Sequence, residues 1–139
     1  MQEHTIALLK ECDAGIKMAT NTIEDVRERI KDPGFCAMVM DYDKKHIKLG
    51  EECHTMLNQY EKDEKDPHPL AKLMGEIKSA MYEDEDKIAE LLTDGCNMGM
   101  KSVGKYLNQY MQASEESIAL ARKLIKMEQH FMEDLRAYL

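Results

Sequence analysis

The residues best suited to chemistry form two short pairs, Asp43 with His46 and Glu128 with Phe131, each three positions apart. On an α-helix, positions i and i+3 lie on one face, so the Asp43 carboxylate and the His46 imidazole could reach the same metal ion. Carboxylate oxygens and imidazole nitrogens are ligands of Zn²⁺, Fe²⁺ and Mn²⁺. Asp43, His46 and Glu128 are therefore the candidate ligands of one divalent metal ion, and no residue stands out as catalytic.

The same residues have a second interpretation in which no metal takes part. His46 falls in the middle of an apolar helix face, where a buried polar side chain needs a hydrogen-bonding partner. That partner could be Glu128, or Tyr42 together with Thr20, and a satisfied cluster of this kind would be structural. The sequence favours the structural cluster and leaves the metal site as the alternative.

A third interpretation rests on the residues that follow His46. His46-Ile47-Lys48-Leu49-Gly50 resembles the His-x-Leu-Lys-Gly sequence of histidine phosphotransfer domains, with Leu and Lys exchanged. That resemblance implies an exposed imidazole that accepts a phosphoryl group. The position of His46 on an apolar face argues against it.

The helices that would position these residues follow from the spacing of apolar side chains. Between residues 35 and 60, one face recurs at alternating intervals of four and three, at Phe35, Val39, Tyr42, His46, Leu49, Cys53, Met56 and Tyr60. This spacing is typical of a helix with one buried face. Similar stripes predict helices over about 5–31, 35–63 and 85–111, a last one capped by Ser114, and a shorter one over 70–82.

The connections between these helices predict their arrangement. Asp32-Pro33-Gly34 is a tight turn, so the first two helices should be antiparallel neighbours. The residues between the second and third long helices are numerous enough to span the bundle from end to end. We therefore predict an all-α, single-domain bundle over 1–139, with two antiparallel hairpins joined by a long crossover.

This order of helices, with Asp43-x-x-His46 on the second, resembles the ferritin-like superfamily, and above all its small bacterial members. In the metal-binding members, the first and third helices each supply a Glu, and the second and fourth each supply Glu-x-x-His. Counting from the turns places 19–22 and 95–98 level with the pairs, and neither range contains a carboxylate. Phe131 stands where the second His is expected. The resemblance therefore implies a bundle without a complete di-iron site, without oxygen chemistry, and with a structural or interaction role.

Composition excludes several other functions. The formal net charge is −8 and no basic patch is visible in the sequence, so we expect no nucleic-acid partner. No apolar run approaches the length of a membrane span, and no small-molecule substrate can be identified. Cys12, Cys36, Cys53 and Cys96 lack paired spacing, which is typical of free thiols in a reducing cytoplasm. Cys12 and Cys53 are expected at one level of the bundle, and whether they have a redox role stays open.

Several apolar residues lie beside the main stripes. Such side chains would be exposed on an isolated bundle, and covering them favours a homodimer. They are Leu8, Met38, Met40, Met100 and Leu107.

Overall fold

The computed structural model describes residues 2–60 and 84–139 of the chain. These residues form four long helices: α1 (Gln2–Val26), α2 (Pro33–Asn58), α3 (Glu85–Gln109) and α4 (Glu115–Leu135). Short 3₁₀ turns follow α1 at Arg27–Arg29 and α4 at Arg136–Tyr138, and the two described ranges contain no strand. The prediction of an all-α bundle of four long helices is confirmed, whereas the predicted helix over 70–82 lies outside the described residues.

One end of the bundle is organised by the turn between α1 and α2. The Asp32 carboxylate caps α2 by accepting hydrogen bonds from the backbone N–H groups of Gly34, at 2.8 Å, and Phe35, at 3.1 Å. Glu85, the first residue of α3, accepts hydrogen bonds from the backbone N–H groups of Lys31 and Asp32. The start of α3 is therefore tied to the turn that joins α1 and α2.

The opposite end is organised by the turn between α3 and α4. Ser114 caps α4 by accepting from the Ser117 backbone N–H at 3.2 Å, as predicted. The Ser114 backbone N–H donates to Thr5 Oγ1 at 2.8 Å, which holds this turn beside the start of α1. It follows that α1 and α4 run in one direction and α2 and α3 in the other. The end of α2 and the start of α3 lie at opposite ends of the bundle, while the predicted crossover itself lies outside the described residues.

The buried side chains form two apolar clusters along the bundle axis. The first is centred on Phe35, Val39 and Phe131, and the second on Leu9, Cys53 and Leu124. His46 and Glu128 lie between the two clusters in sequence along α2 and α4, and both are buried. The fold thus places its central polar pair between two apolar layers.

Three details differ from the sequence prediction. Leu8 is fully buried in the second cluster, so it is wrong to count it among the exposed apolar side chains. The first helix was expected to continue to about residue 31, but α1 ends at Val26 and a 3₁₀ turn follows. The second was expected to reach about residue 63, but α2 ends at Asn58.

In the described residues, no helix combines the length and the apolar composition needed to cross a membrane.

Candidate functional site: a buried histidine–glutamate pair

His46 of α2 is fully buried and uses both of its ring nitrogens. Nδ1 lies 2.7 Å from the backbone carbonyl oxygen of Tyr42, one helical turn earlier. Nε2 is hydrogen-bonded to the Glu128 carboxylate of α4, which is 6% exposed. The pair links the two helices at the level that separates the two apolar clusters.

The Tyr42 carbonyl determines where one proton of His46 must be. A carbonyl oxygen can only accept a hydrogen bond, so Nδ1 carries a proton. One further proton lies between Nε2 and Glu128, which makes the pair either imidazolium and carboxylate or imidazole and carboxylic acid. Burial lowers the pKa of His46, but the hydrogen bond and negative charge of Glu128 outweigh it, and the pKa of His46 is raised overall. The imidazolium–carboxylate form is therefore favoured.

Glu128 receives further contacts from α3. The Cys96 thiol is hydrogen-bonded to the Glu128 side chain, and burial followed by the nearby Glu128 charge raises the pKa of Cys96. A Cβ atom added at Gly99 would lie 3.6 Å from Glu128 Oε2, so the glycine lets this carboxylate lie close to the α3 backbone. The residues level with Glu128 on α3 are thus Cys96 and Gly99, within or next to the predicted range 95–98, and neither is a carboxylate.

A second polar contact between α2 and α4 lies one turn from the first. The Tyr42 hydroxyl donates to Asp134 Oδ2 at 2.5 Å, and the Tyr42 ring stacks on Phe131 at 4.5 Å between centroids. Burial and the Asp134 hydrogen bond both raise the pKa of Tyr42. Phe131 also meets the edge of the His46 ring, at 6.1 Å. Phe131 therefore packs against both aromatic rings that α2 contributes at this level.

Asp43, the third predicted ligand, lies beside His46 but does not join the hydrogen-bonded pair. Burial raises its pKa, partly offset by the charges of His46 and Arg27. Thr20, another predicted partner of His46, instead donates to the carbonyl oxygen of Lys17 in its own helix. Within residues 2–60 and 84–139, no three His, Cys, Asp or Glu side chains converge as a metal-binding group.

A second histidine–carboxylate contact, which is partly buried, joins α1 to α2 and was not predicted from the sequence. Asp13 is fully buried; its Oδ1 lies 2.7 Å from His54 Nε2, and its Oδ2 lies 3.1 Å from Lys17 Nζ. Asp13 lies two helical turns from the level of His46, as helix counting predicted. The signal that could have revealed the contact is the predicted common level of Cys12 and Cys53, because Asp13 and His54 directly follow these two residues in the sequence.

A cavity of about 120 Å³ lies between α1 and α3, and Glu128 contributes to its lining. Glycines from both helices lie along it, and a Cβ atom added at Gly15 would meet nothing within 4 Å. The pocket reaches the surface, since Ser102 in its lining is exposed and Met18 and Met98 are half-buried. Its walls are mostly apolar, so a small apolar molecule could enter it from solvent.

A groove on the outer side of α2 and α4 brings together four lysines that are distant in the sequence. Lys45 and Lys48 of α2 and Lys123 and Lys126 of α4 line it, with Glu52 as the only acidic residue in its lining among those described. Two of these lysines form ion pairs, Lys45 with Asp41 at 3.2 Å and Lys123 with Glu52 at 3.5 Å. The prediction that the chain has no nucleic-acid partner stays a prediction.

The cysteines are free thiols in the structure. Cys12 and Cys53 are both fully buried on the facing helices α1 and α2, and the Cys53 thiol donates to the Leu9 carbonyl oxygen at 3.2 Å. Burial, and then the charges of Glu11 and Asp13, raise the pKa of Cys12 to about 12. A thiol with so high a pKa is a poor nucleophile at neutral pH, which agrees with a packing role for Cys12.

A double-mutant cycle on the buried pair has a distinctive expected outcome. Replacing either His46 or Glu128 alone by Leu leaves the other group buried without its partner, and should lower the free energy of unfolding by about 3–5 kcal/mol. Replacing both by Leu should recover most of that loss, because no buried charge remains.

Urea unfolding followed by circular dichroism measures the stability of all four proteins: the wild type, the two single variants and the double variant. Asp41→Ala, which breaks the exposed contact with Lys45, is the control and should change stability by less than about 1 kcal/mol. Losses that simply add in the double variant would contradict a coupled pair.

The raised pKa of His46 also predicts a pH dependence of stability. A group whose pKa is higher in the folded state stabilises the fold at low pH, and this contribution is lost as pH rises from the unfolded value of 6.5 through the folded value. For one proton, the free energy of unfolding should change by no more than about 1.4 kcal/mol per pH unit. The urea midpoint should therefore fall as pH rises above 6.5, and fall less in the His46→Leu/Glu128→Leu variant. His130→Gln, at an exposed histidine of α4, should retain the wild-type slope. If the urea midpoint of the double variant fell with pH as steeply as that of the wild-type protein, the pH dependence would come from groups other than His46.

Of the three predicted ligands, the structure therefore joins His46 to Glu128 and leaves Asp43 beside them. His46 is fully buried, so it lacks the exposure that phosphoryl transfer requires.

No protein-family model, curated protein or solved structure significantly matches the chain.

Proposed function

We propose that this chain is a ferritin-like bundle without a complete di-iron site, with a structural or interaction role in place of oxygen chemistry. In this proposal, the His46–Glu128 pair occupies the level at which the metal-binding members hold their metals. The order and direction of the four described helices support the proposal. So does the absence of a carboxylate at the α3 positions level with Glu128, which are Cys96 and Gly99.

The observation that carries the proposal is the use of both His46 nitrogens. A metal ligand must offer a ring nitrogen with a free lone pair. Nδ1 faces a carbonyl acceptor and Nε2 faces Glu128, so a metal ion would have to replace one of these contacts. It would also have to enter a layer enclosed by apolar clusters on both sides. Binding through Asp43, His46 and Glu128 thus requires the pair to open.

The role proposed for the pair is to fix α2 against α4. Burying an ion pair rarely adds net stability, but it penalises arrangements in which either charge loses its partner. A shift of α4 by one turn along α2 would separate His46 from Glu128 and Tyr42 from Asp134 together. The pair would therefore select one arrangement of the helices, as polar groups do in helical coiled coils.

Association between copies remains part of this proposal. Met38 and Met40 of α2 are half-buried against the first cluster, and Leu107 of α3 is half-buried against the second. Their exposed portions are the surface that a second copy would cover. The large apolar side chains exposed among the described residues are Ile47, Met111 and Leu139.

Metal binding tests the proposal directly. Protein purified without added metal should contain far less than one Zn, Fe or Mn ion per chain by elemental analysis. Addition of each divalent ion should leave the melting temperature unchanged, because a ligand that binds only the folded state would raise it. Asp43→Ala/His46→Ala is the matched variant. A stoichiometric ion in the wild-type protein that is lost from this variant would contradict the proposal and establish the mono-metal alternative.

A further inference from the structure

We propose that the cavity between α1 and α3 binds a small uncharged molecule that is largely apolar and carries one hydrogen-bond donor. This inference concerns the space beside Glu128 and does not depend on whether the chain is ferritin-like. The walls are mostly apolar, with Met18 and Ile23 from α1, Leu92 and Met98 from α3, and Leu124 and Phe131 from α4. The cavity volume is about 120 Å³. This volume suits a molecule about the size of one aromatic ring, since an engineered apolar cavity of about 150 Å³ in a protein core binds benzene.

The polar groups in the lining determine the charge of the ligand. Thr22 donates to the Met18 carbonyl oxygen at 2.8 Å, and the Tyr106 hydroxyl is hydrogen-bonded to Glu11, so both hydroxyls already have partners. The third hydroxyl in the lining, that of Ser102, is exposed to solvent. The Glu128 carboxylate has about four acceptor positions, and contacts with His46 and Cys96 use two of them. Glu128 can therefore accept one more hydrogen bond from a ligand. The described lining contains two carboxylates, Glu11 and Glu128, and no Lys or Arg, so an anion is repelled, whereas an uncharged donor can reach Glu128 without leaving the mostly apolar space.

The glycines along the cavity support binding over accidental poor packing. A Cβ atom added at Gly15 of α1 would meet nothing within 4 Å, so an alanine would fit there without a clash. Glycine inside a helix is less favourable than alanine, yet here it keeps part of the pocket open. A ligand in the pocket would use the space that Gly15 leaves.

Phenol is a suitable probe because it combines an uncharged ring with one O–H donor. The full-length protein, labelled with ¹³C at its methionine methyl groups, would be titrated with phenol and followed by NMR. Met18 and Met98 line the cavity, so their methyl signals should move in a saturable way through the ring current of the bound probe. Met40, which packs at the edge of the first cluster, is the internal reference and should not move.

Two variants and one further compound make the result specific. Gly15→Leu should fill the cavity and weaken phenol binding by at least about tenfold. Gly104→Leu is the matched control, because Gly104 also adjoins open space in α3 but does not line the cavity. Ala19→Leu, a second cavity-lining change, replaces Gly15→Leu if that protein does not fold. Benzoate, an anion of similar size, should leave the signals of Met18 and Met98 unchanged.

Three results would overturn the proposal. The first is the lack of any saturable shift of Met18 and Met98 in the wild-type protein. The second is unchanged phenol affinity in a folded cavity-filling variant. The third is equal binding of benzoate at the same methyl groups, which would show that the site does not select for charge.

Discussion

The fold depends on a proton held between His46 and Glu128, two buried side chains that lie between the apolar clusters. The Tyr42 carbonyl fixes the other proton of the imidazole, so the ring has one orientation and one way to meet Glu128. Separating two buried charges is expensive, whereas a close pair largely balances the cost of burying them. The packing of α2 on α4 must therefore keep the two side chains in contact, and the apolar clusters on either side hold the helices at that position.

This constraint explains the residues around the pair. Phe131 packs against both the His46 ring and the Tyr42 ring, and so excludes water from the contact. Cys96 supplies a weak donor to Glu128 without adding a charge, and Gly99 leaves space for the carboxylate. A carboxylate at either α3 position would bring a second negative charge next to Glu128. The pair and the small α3 residues thus belong to one arrangement, in which Cys96 and Gly99 leave room for a buried carboxylate beside His46.

Much of this arrangement could be predicted from the sequence because it follows from helical repeat and turn length. The alternating spacing from Phe35 to Tyr60 placed His46 at the centre of a buried face, and counting from the turns brought 95–98 level with Glu128. The contact between Asp13 and His54 was missed because His54 lies one position beyond the buried stripe, next to Cys53. Its partly exposed ring reaches Asp13 through a side-chain orientation that spacing does not specify.

Leu8 was misplaced because α1 is buried over a wider arc than its main stripe. The groove lined by four lysines arises from the pairing of α2 with α4, which overall composition does not encode. Predictions about residues 61–83 remain predictions.

The most direct test is the ¹⁵N NMR spectrum of the His46 imidazole in the metal-free protein at neutral pH. An imidazolium held against a carboxylate should show protons on both ring nitrogens, with two one-bond N–H couplings that persist because the ring is buried. Glu128→Gln should change the Nε2 signal much more than the Nδ1 signal, since the Tyr42 contact remains. A wild-type spectrum with a proton on Nδ1 alone, and Nε2 free or bound to a metal ion, would contradict the buried ion pair.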